Sequence, residues 1–331
     1  MNRDRNIKLN NRVNKGTVFG VFSGMLWGLD TVLIGLILEG SVFSEFTFTA
    51  PLIAVFLHDS FSSLWIFIYM IVNKKTGDIL SAIKSKSGLF LILASLFAGP
   101  VGMTGYVLAI SYIGSSYTAT ISSMYPAIGA FFAYVFLKDK LNLRGVVGLI
   151  LAISATVFLG VSSSTGEGQS NLLGFIFAFM CTVGWGLECV ICSYGMKGDI
   201  KPDIALQIRQ LTSAISYAIV IIPIFNAYPG VLEVIKTSQC AFLALTALIG
   251  TLSYFCYYSA IDSIGPTRAM GLNISYSAWA VIIGVFVGVS LDFKVLLICI
   301  VIILGSILTC DNPGEIFYMI VPFIKKKENV K

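Results

Sequence analysis

The chain has 331 residues, 56% hydrophobic and 12% charged, with a mean hydropathy of +0.88 and a formal net charge of +5. A soluble domain carries about 25% charged residues, so this balance excludes a soluble core and makes lipid the main solvent. Seven cysteines, mostly in apolar runs and without CxxC spacing, and a single histidine argue against a disulfide framework, a zinc site or a haem. No metal, cofactor or nucleic-acid partner is expected.

The basic N-terminal segment (Arg3, Arg5, Lys8, Arg12, Lys15) runs into an apolar stretch too long for a secretory signal core and without a clear small-x-small cleavage site. That stretch reads as an uncleaved first span. A membrane helix needs roughly 20 apolar residues. Spans are predicted at 16–38, 47–73, 87–111, 115–137, 143–163, 171–196, 203–225, 238–262, 267–290 and 293–311. Lipid requires closed backbone hydrogen bonding, so these are helices. The expected fold is an all-α membrane protein with ten transmembrane helices and both termini cytoplasmic. With the N-terminus inside, the cytoplasmic segments carry nineteen Lys and Arg residues and the outer ones only Lys236 and Lys294. A missed or invented helix would destroy that asymmetry. The tail at 312–331 reads either as an interfacial segment or as a disordered one.

The two halves match. Trp27-Gly28-Leu29-Asp30 parallels Trp185-Gly186-Leu187-Glu188 at an offset of 158, and from the second span on the offset settles at 151. That offset pairs His58-Asp59 with Arg209-Gln210, Gly99 with Gly250, Tyr106 with Tyr257, Gly114 with Gly265 and Tyr125 with Tyr276. An N-terminal tail at 1–15 is followed by five-helix halves at 16–163 and 164–311. An odd number of spans per half forces the halves to insert in opposite senses. Inverted repeats of this kind mark secondary transporters, with the solute held near the midplane between the halves. A duplicated scaffold that transports nothing is the bland alternative.

Ionisable groups inside spans are functional candidates by default: Asp30, His58, Asp59, Glu188 and Arg209. Trp27 and Asp30 stand three apart, as do Trp185 and Glu188, so each half offers an indole beside a carboxylate. A cation suits that pairing, because aromatic faces attract it and a carboxylate neutralises it. The belt-anchor reading of a membrane tryptophan fits Trp65 near a span end; Trp27 and Trp185 lie deep in their spans. Asn273, Tyr276 and Trp279 recur at spacing three. Tyr254, Tyr257 and Tyr258 crowd the eighth span, and Tyr125 precedes Pro126. Such stripes serve packing as readily as a ligand cage; the convergence of Trp, Tyr and acid from both halves favours the cage. Asp59 and Arg209 read as a structural ion pair across the halves. His58 has two open readings, a structural partner or a proton relay. Gly99-Pro100-Val101-Gly102 interrupts the third span, and Gly114 and Gly265 open the fourth and ninth as tight turns.

These motifs resemble the EamA-type drug/metabolite transporter superfamily and, within it, the LicB-type bacterial choline transporters. The likeness rests on Leu96 to Met103, Tyr112 to Ser116 with Tyr125-Pro126-Ala127, Gly184 to Glu188, Ile208-Arg209-Gln210, Ser253-Tyr254 with Tyr257-Tyr258, Gly271 to Trp279, and His58-Asp59, and it spans residues 16 to 310. It implies proton-coupled import of choline, multi-pass in a bacterial cytoplasmic (inner) membrane. It also implies an aromatic cage drawn from Trp27, Tyr125, Trp185, Tyr254, Tyr276 and Trp279, with Glu188 as the nearby acid. With Asn273 these make the expected solute-binding set, and Glu188, Asp30, His58 and Asp59 are the candidates for proton coupling. Asp30 departs from the family pattern, where a small or neutral residue is expected, and the flanking segments are longer.

An exporter, or an importer of another small amine, amino acid or drug, is the nearest alternative, and a non-transporting receptor a remote one. An enzyme is not expected: no GxSxG or HExxH signature is present. Partners are a small cationic solute and the bilayer, with monomer and dimer both open.

Overall fold

The computed structural model describes residues 2–46, 48–162, 172–288 and 292–310, with the backbone alone at 2–11, 115, 116 and 162. It is helical throughout, without a strand among the described residues. Nine helices there are long and apolar enough to cross a membrane: α1 (Arg12–Leu38), α2 (Ala50–Val72), α3 (Lys86–Gly114), α4 (Tyr117–Leu137), α5 (Leu143–Val161), α6 (Leu172–Met196), α7 (Pro202–Ile224), α8 (Ser238–Ile264) and α9 (Pro266–Phe286). A further apolar helix, α10 (Phe293–Leu308), has 16 residues. At 1.5 Å per residue it is about 24 Å long, short of a ~30 Å hydrocarbon core. It falls inside the span expected at 293–311. The loop at 163–171 and the tail at 312–331 lie outside the described residues.

The N-terminal segment continues α1 outward as one helix from Asn2 to Leu38. Prolines in the first turn start α2 (Pro51), α7 (Pro202) and α9 (Pro266), where a missing N–H costs nothing. Ser85 caps α3 by accepting from the Gly88 amide at 3.0 Å, and Asp292 caps α10 through the Lys294 amide at 3.3 Å. Within α3 the Gly99-Pro100-Val101-Gly102 interruption takes the form of a π-helical stretch, Phe97–Met103, because Pro100 has no N–H to give the preceding turn.

Two glycines make the sharp connections. Gly114 joins α3 to α4 at φ 79°, ψ 164°, and Gly265 joins α8 to α9 at φ 84°, ψ 163°. A side chain rarely adopts this backbone, and its recurrence at the 151-residue offset matches the sequence pairing.

Helix α1 packs along α8 and α9, α6 against α3 and α4, and α5 against α10. On α1 the stripe Gly16, Gly20, Gly24, Gly28 faces α8 and α9; a Cβ at Gly24 would stand 2.4 Å from Ser275 Oγ. Small residues at this spacing let helices approach closely where lipid offers no hydrophobic drive. A buried cluster runs from Met70 and Leu91 through Met196 and Ile204 to Ile261 and Met270. Large apolar side chains such as Phe67, Ile71, Ile150 and Phe179 are exposed around the bundle, as a lipid-facing surface requires.

Candidate functional site

A cavity is lined by Trp27 of α1, Tyr125 of α4, Trp185 and Glu188 of α6, Ser253, Tyr254 and Tyr257 of α8, and Asn273 and Tyr276 of α9. Both halves of the chain contribute. Seven of the eight expected solute-binding residues are on this wall. The eighth, Trp279, is not among the lining residues: it stands against α1, where a Cβ on Gly28 would lie 2.7 Å from its own Cβ.

The aromatic rings hold one another at angles. Trp27 meets Tyr254 edge-on at 4.8 Å and Tyr125 meets Trp185 edge-on at 6.0 Å, while Tyr106 stacks on Trp185 at 5.5 Å. Such pairs prefer offset or T-shaped geometry. The Tyr125 hydroxyl donates to Asn273 Oδ1 at 2.9 Å, and Asn273 Nδ2 donates to Ser23 Oγ at 3.1 Å. Ser253 Oγ donates to the Ser23 carbonyl at 2.8 Å. Asn273 therefore ties α4 to α1 behind the wall.

The charged residues form one connected series beside the cavity. His58 Nε2 stands 3.1 Å from Asp30 Oδ1 and His58 Nδ1 3.4 Å from Asp59 Oδ1. Asp59 accepts from Ser213 Oγ at 2.5 Å and from Arg209 Nη1 at 3.4 Å. Arg209 Nη1 also donates to Gln210 Oε1 at 2.5 Å, and Nη2 donates to the Tyr254 hydroxyl at 2.7 Å. Arg209 Nε lies 3.5 Å from Glu188 Oε1, which accepts from the Tyr258 hydroxyl at 3.0 Å. All five ionisable side chains are buried. The structure brings Asp59 and Arg209, read from the sequence as a structural pair, to 3.4 Å of each other.

Two relations differ from the sequence reading. Asp30 does not share the cavity wall with Trp27. Three residues along a helix still leave side chains about 60° apart, enough for Trp27 to face the cavity and Asp30 to face His58 on α2. Glu188, unlike Asp30, does line the cavity, so the two Trp-acid motifs are not equivalent. Sequence reasoning also left out Ser253, Tyr257 and Tyr106 from the site. The signal for the two tyrosines was present, since the offset that pairs Tyr125 with Tyr276 pairs Tyr106 with Tyr257. Among the described residues, no group of three or more His, Cys, Asp or Glu is placed to hold a metal ion. An aromatic chamber with a carboxylate in its wall is chemically suited to an organic cation.

The model of the EamA-like transporter family matches residues 14–161 and 172–310. Protein LicB of Haemophilus influenzae is 31% identical over 272 residues, covering 82% of this chain and 88% of that protein. An uncharacterized transporter of Clostridium kluyveri is 23% identical over 232 residues, covering 67% of this chain and 72% of its own length. A solved crystal structure superposes with a TM-score of 0.66 over 89% of this chain and 97% of the other, at 15% identity, which is a likeness of fold.

Proposed function

The chain belongs to the EamA-like transporter family, and on that premise we propose that it imports choline or a closely related quaternary ammonium by alternating access, coupled to protons, in a bacterial cytoplasmic membrane. It is a transporter rather than an enzyme. The observation that carries the choice of solute is the cavity wall, with two indoles, four phenols and one carboxylate converging from both halves. A quaternary ammonium has no N–H to donate, so ring faces are its best partners. The resemblance to the LicB-type choline transporters supports the same choice.

Ten spans in two inverted five-helix halves account for the nineteen-to-two distribution of Lys and Arg, with both termini cytoplasmic. The matched glycine turns at Gly114 and Gly265 support the repeat, and opposed halves supply the rocking that alternating access needs. Proton coupling is assigned to His58, which stands between Asp30 and Asp59 and ordinarily titrates near neutral pH.

Calorimetric titration of the purified protein with choline, ethanolamine and the neutral isostere 3,3-dimethyl-1-butanol tests the reading. Choline is expected to bind better than the isostere, and Trp185→Ala to weaken choline binding about 3- to 30-fold, the worth of one good cation–π face. Saturable binding of a different amine or amino acid with none of choline would remove the choline assignment and keep the transporter. Counterflow in proteoliposomes under an imposed pH gradient reads direction and coupling.

A further inference from the structure

We propose that Arg209 sets the charge of the cavity, so that the site accepts one monovalent organic cation and refuses analogues carrying a carboxylate; this rests on reading the cavity as a quaternary-ammonium site. Arg209 does not line the cavity. It acts on two residues that do. Its guanidinium carbon stands 4.1 Å from the centre of the Tyr254 ring, its Nη2 holds the Tyr254 hydroxyl, and its Nε faces Glu188. On the far side Nη1 is taken by Asp59 and Gln210. It is thus a positioning residue: it places Tyr254 and offsets part of the charge on Glu188.

The charge balance follows from the connected series. Three carboxylates (Asp30, Asp59, Glu188) face one guanidinium (Arg209) and one imidazole (His58). With the imidazole protonated, a single negative charge is left uncompensated, and a monovalent cation neutralises it. In a buried site that match is decisive, because an unbalanced charge out of water is costly. A zwitterion such as glycine betaine would bring a carboxylate toward Glu188. Arg209 could not receive it, since it stands behind Tyr254 and Glu188 and does not line the cavity.

The test varies charge while reading a neutral ligand beside the cation. Glu188→Gln and Asp59→Asn each cancel the excess negative charge. Asp59→Asn is expected to weaken choline binding about tenfold, the effect of a unit charge roughly 10 Å away at an effective dielectric of about 20, and Glu188→Gln, in the cavity wall, at least as much. Asp59 is expected to act this way although it does not touch the cavity. 3,3-Dimethyl-1-butanol binding should change less than threefold in both. Arg209→Lys keeps the balance and should keep choline binding within about fivefold. In the double variant Glu188→Gln/Arg209→Gln the excess charge returns, so choline binding should recover at least threefold over Glu188→Gln alone. A purely structural arginine would make the double variant worse than the single, and that result overturns the proposal, as does wild-type binding of glycine betaine equal to choline. Asp59→Asn serves the same purpose if the double variant does not fold: unchanged choline affinity there also overturns it. A wild type that binds the neutral isostere and no cation would instead bring down the quaternary-ammonium reading itself, and this proposal with it.

Discussion

At the residue scale, two carboxylates that look alike in sequence are placed for different work. Glu188 lines the cavity, whereas Asp30 is turned away to His58 at 3.1 Å. Asp30→Asn should therefore act on choline only through charge, weakening binding about tenfold as Asp59→Asn does, and should leave 3,3-dimethyl-1-butanol binding within about threefold by calorimetry. The same substitution should abolish the acceleration of uptake by an inward proton gradient, because the amide no longer matches the charge of a protonated imidazole. Loss of neutral-isostere binding along with that of choline would place Asp30 at the solute instead. The identity of the wall was largely legible in the sequence, since Trp, Tyr and acid at helical spacing can be counted on one face. The partners behind the wall were not. The Glu188 to Arg209 and Asp30 to His58 contacts depend on how α6, α7, α1 and α2 are rotated about their axes, which periodicity alone does not fix when helices are apolar nearly all round. Trp279 fell outside the lining for the same reason: spacing three put it with Asn273 and Tyr276, but the rotation of α9 turns it toward Gly28.

At the element scale, hydrophobic length located the helices, and Gly and Pro located their interruptions. Lipid selects long apolar runs so strongly that the boundaries of α2, α5, α6 and α8 fall within a few residues of those expected. The close approach of α1 to α9 is less visible, because a glycine every fourth residue suggests an interface without naming the partner helix. Gly28 shows what the interface tolerates. A Cβ there would lie 2.8 Å from the Ala280 amide nitrogen and 2.9 Å from the Tyr276 carbonyl oxygen, both backbone atoms that cannot step aside. Gly28→Ala should force α1 off α9 and cost about 1–3 kcal/mol, read as a lower midpoint of thermal unfolding in detergent. Choline affinity should fall with it, because Trp27 and Tyr276 sit on the two helices being parted. Gly35, where an added Cβ meets nothing within 4 Å, is the control: Gly35→Ala should leave both unchanged.

At the scale of the whole molecule, the described ion pairs between the two halves, apart from the buried Asp59–Arg209 pair, lie on one side, the side rich in Lys and Arg. Arg12 of α1 donates to Asp262 of α8 at 3.1 Å. Lys75, after α2, pairs with Asp203 at the start of α7. Asp139, after α4, accepts from Arg268 of α9 at 3.3 Å and from the Thr267 amide at 3.2 Å. Near the opposite ends, among the described residues, the ion pair present is Lys236 with Glu233, within one helix. The Asp203 carboxylate holds the Lys75 amine above its ordinary range, chiefly by hydrogen bonding. That link is complete below the ordinary lysine value of about 10.4 and is lost only as pH rises through the raised one. Each partly exposed pair is worth about 0–1 kcal/mol, too little to hold a fold yet enough, added together, to bias two conformations that differ by a few kcal/mol. The buried cluster around Met196, Ile204 and Ile261 closes the same side. Cys189 reports on it, being buried with its Sγ 3.7 Å from the Pro266 carbonyl. Asp139→Asn with Asp203→Asn should unlatch the two halves there. Maleimide labelling of Cys189, mapped by mass spectrometry, should then proceed several-fold faster than in the parent chain, and choline should slow it again by holding the halves together. Labelling at the parental rate, with the protein still folded, would mean that the buried cluster alone keeps that side shut and that the ion pairs contribute nothing to the balance.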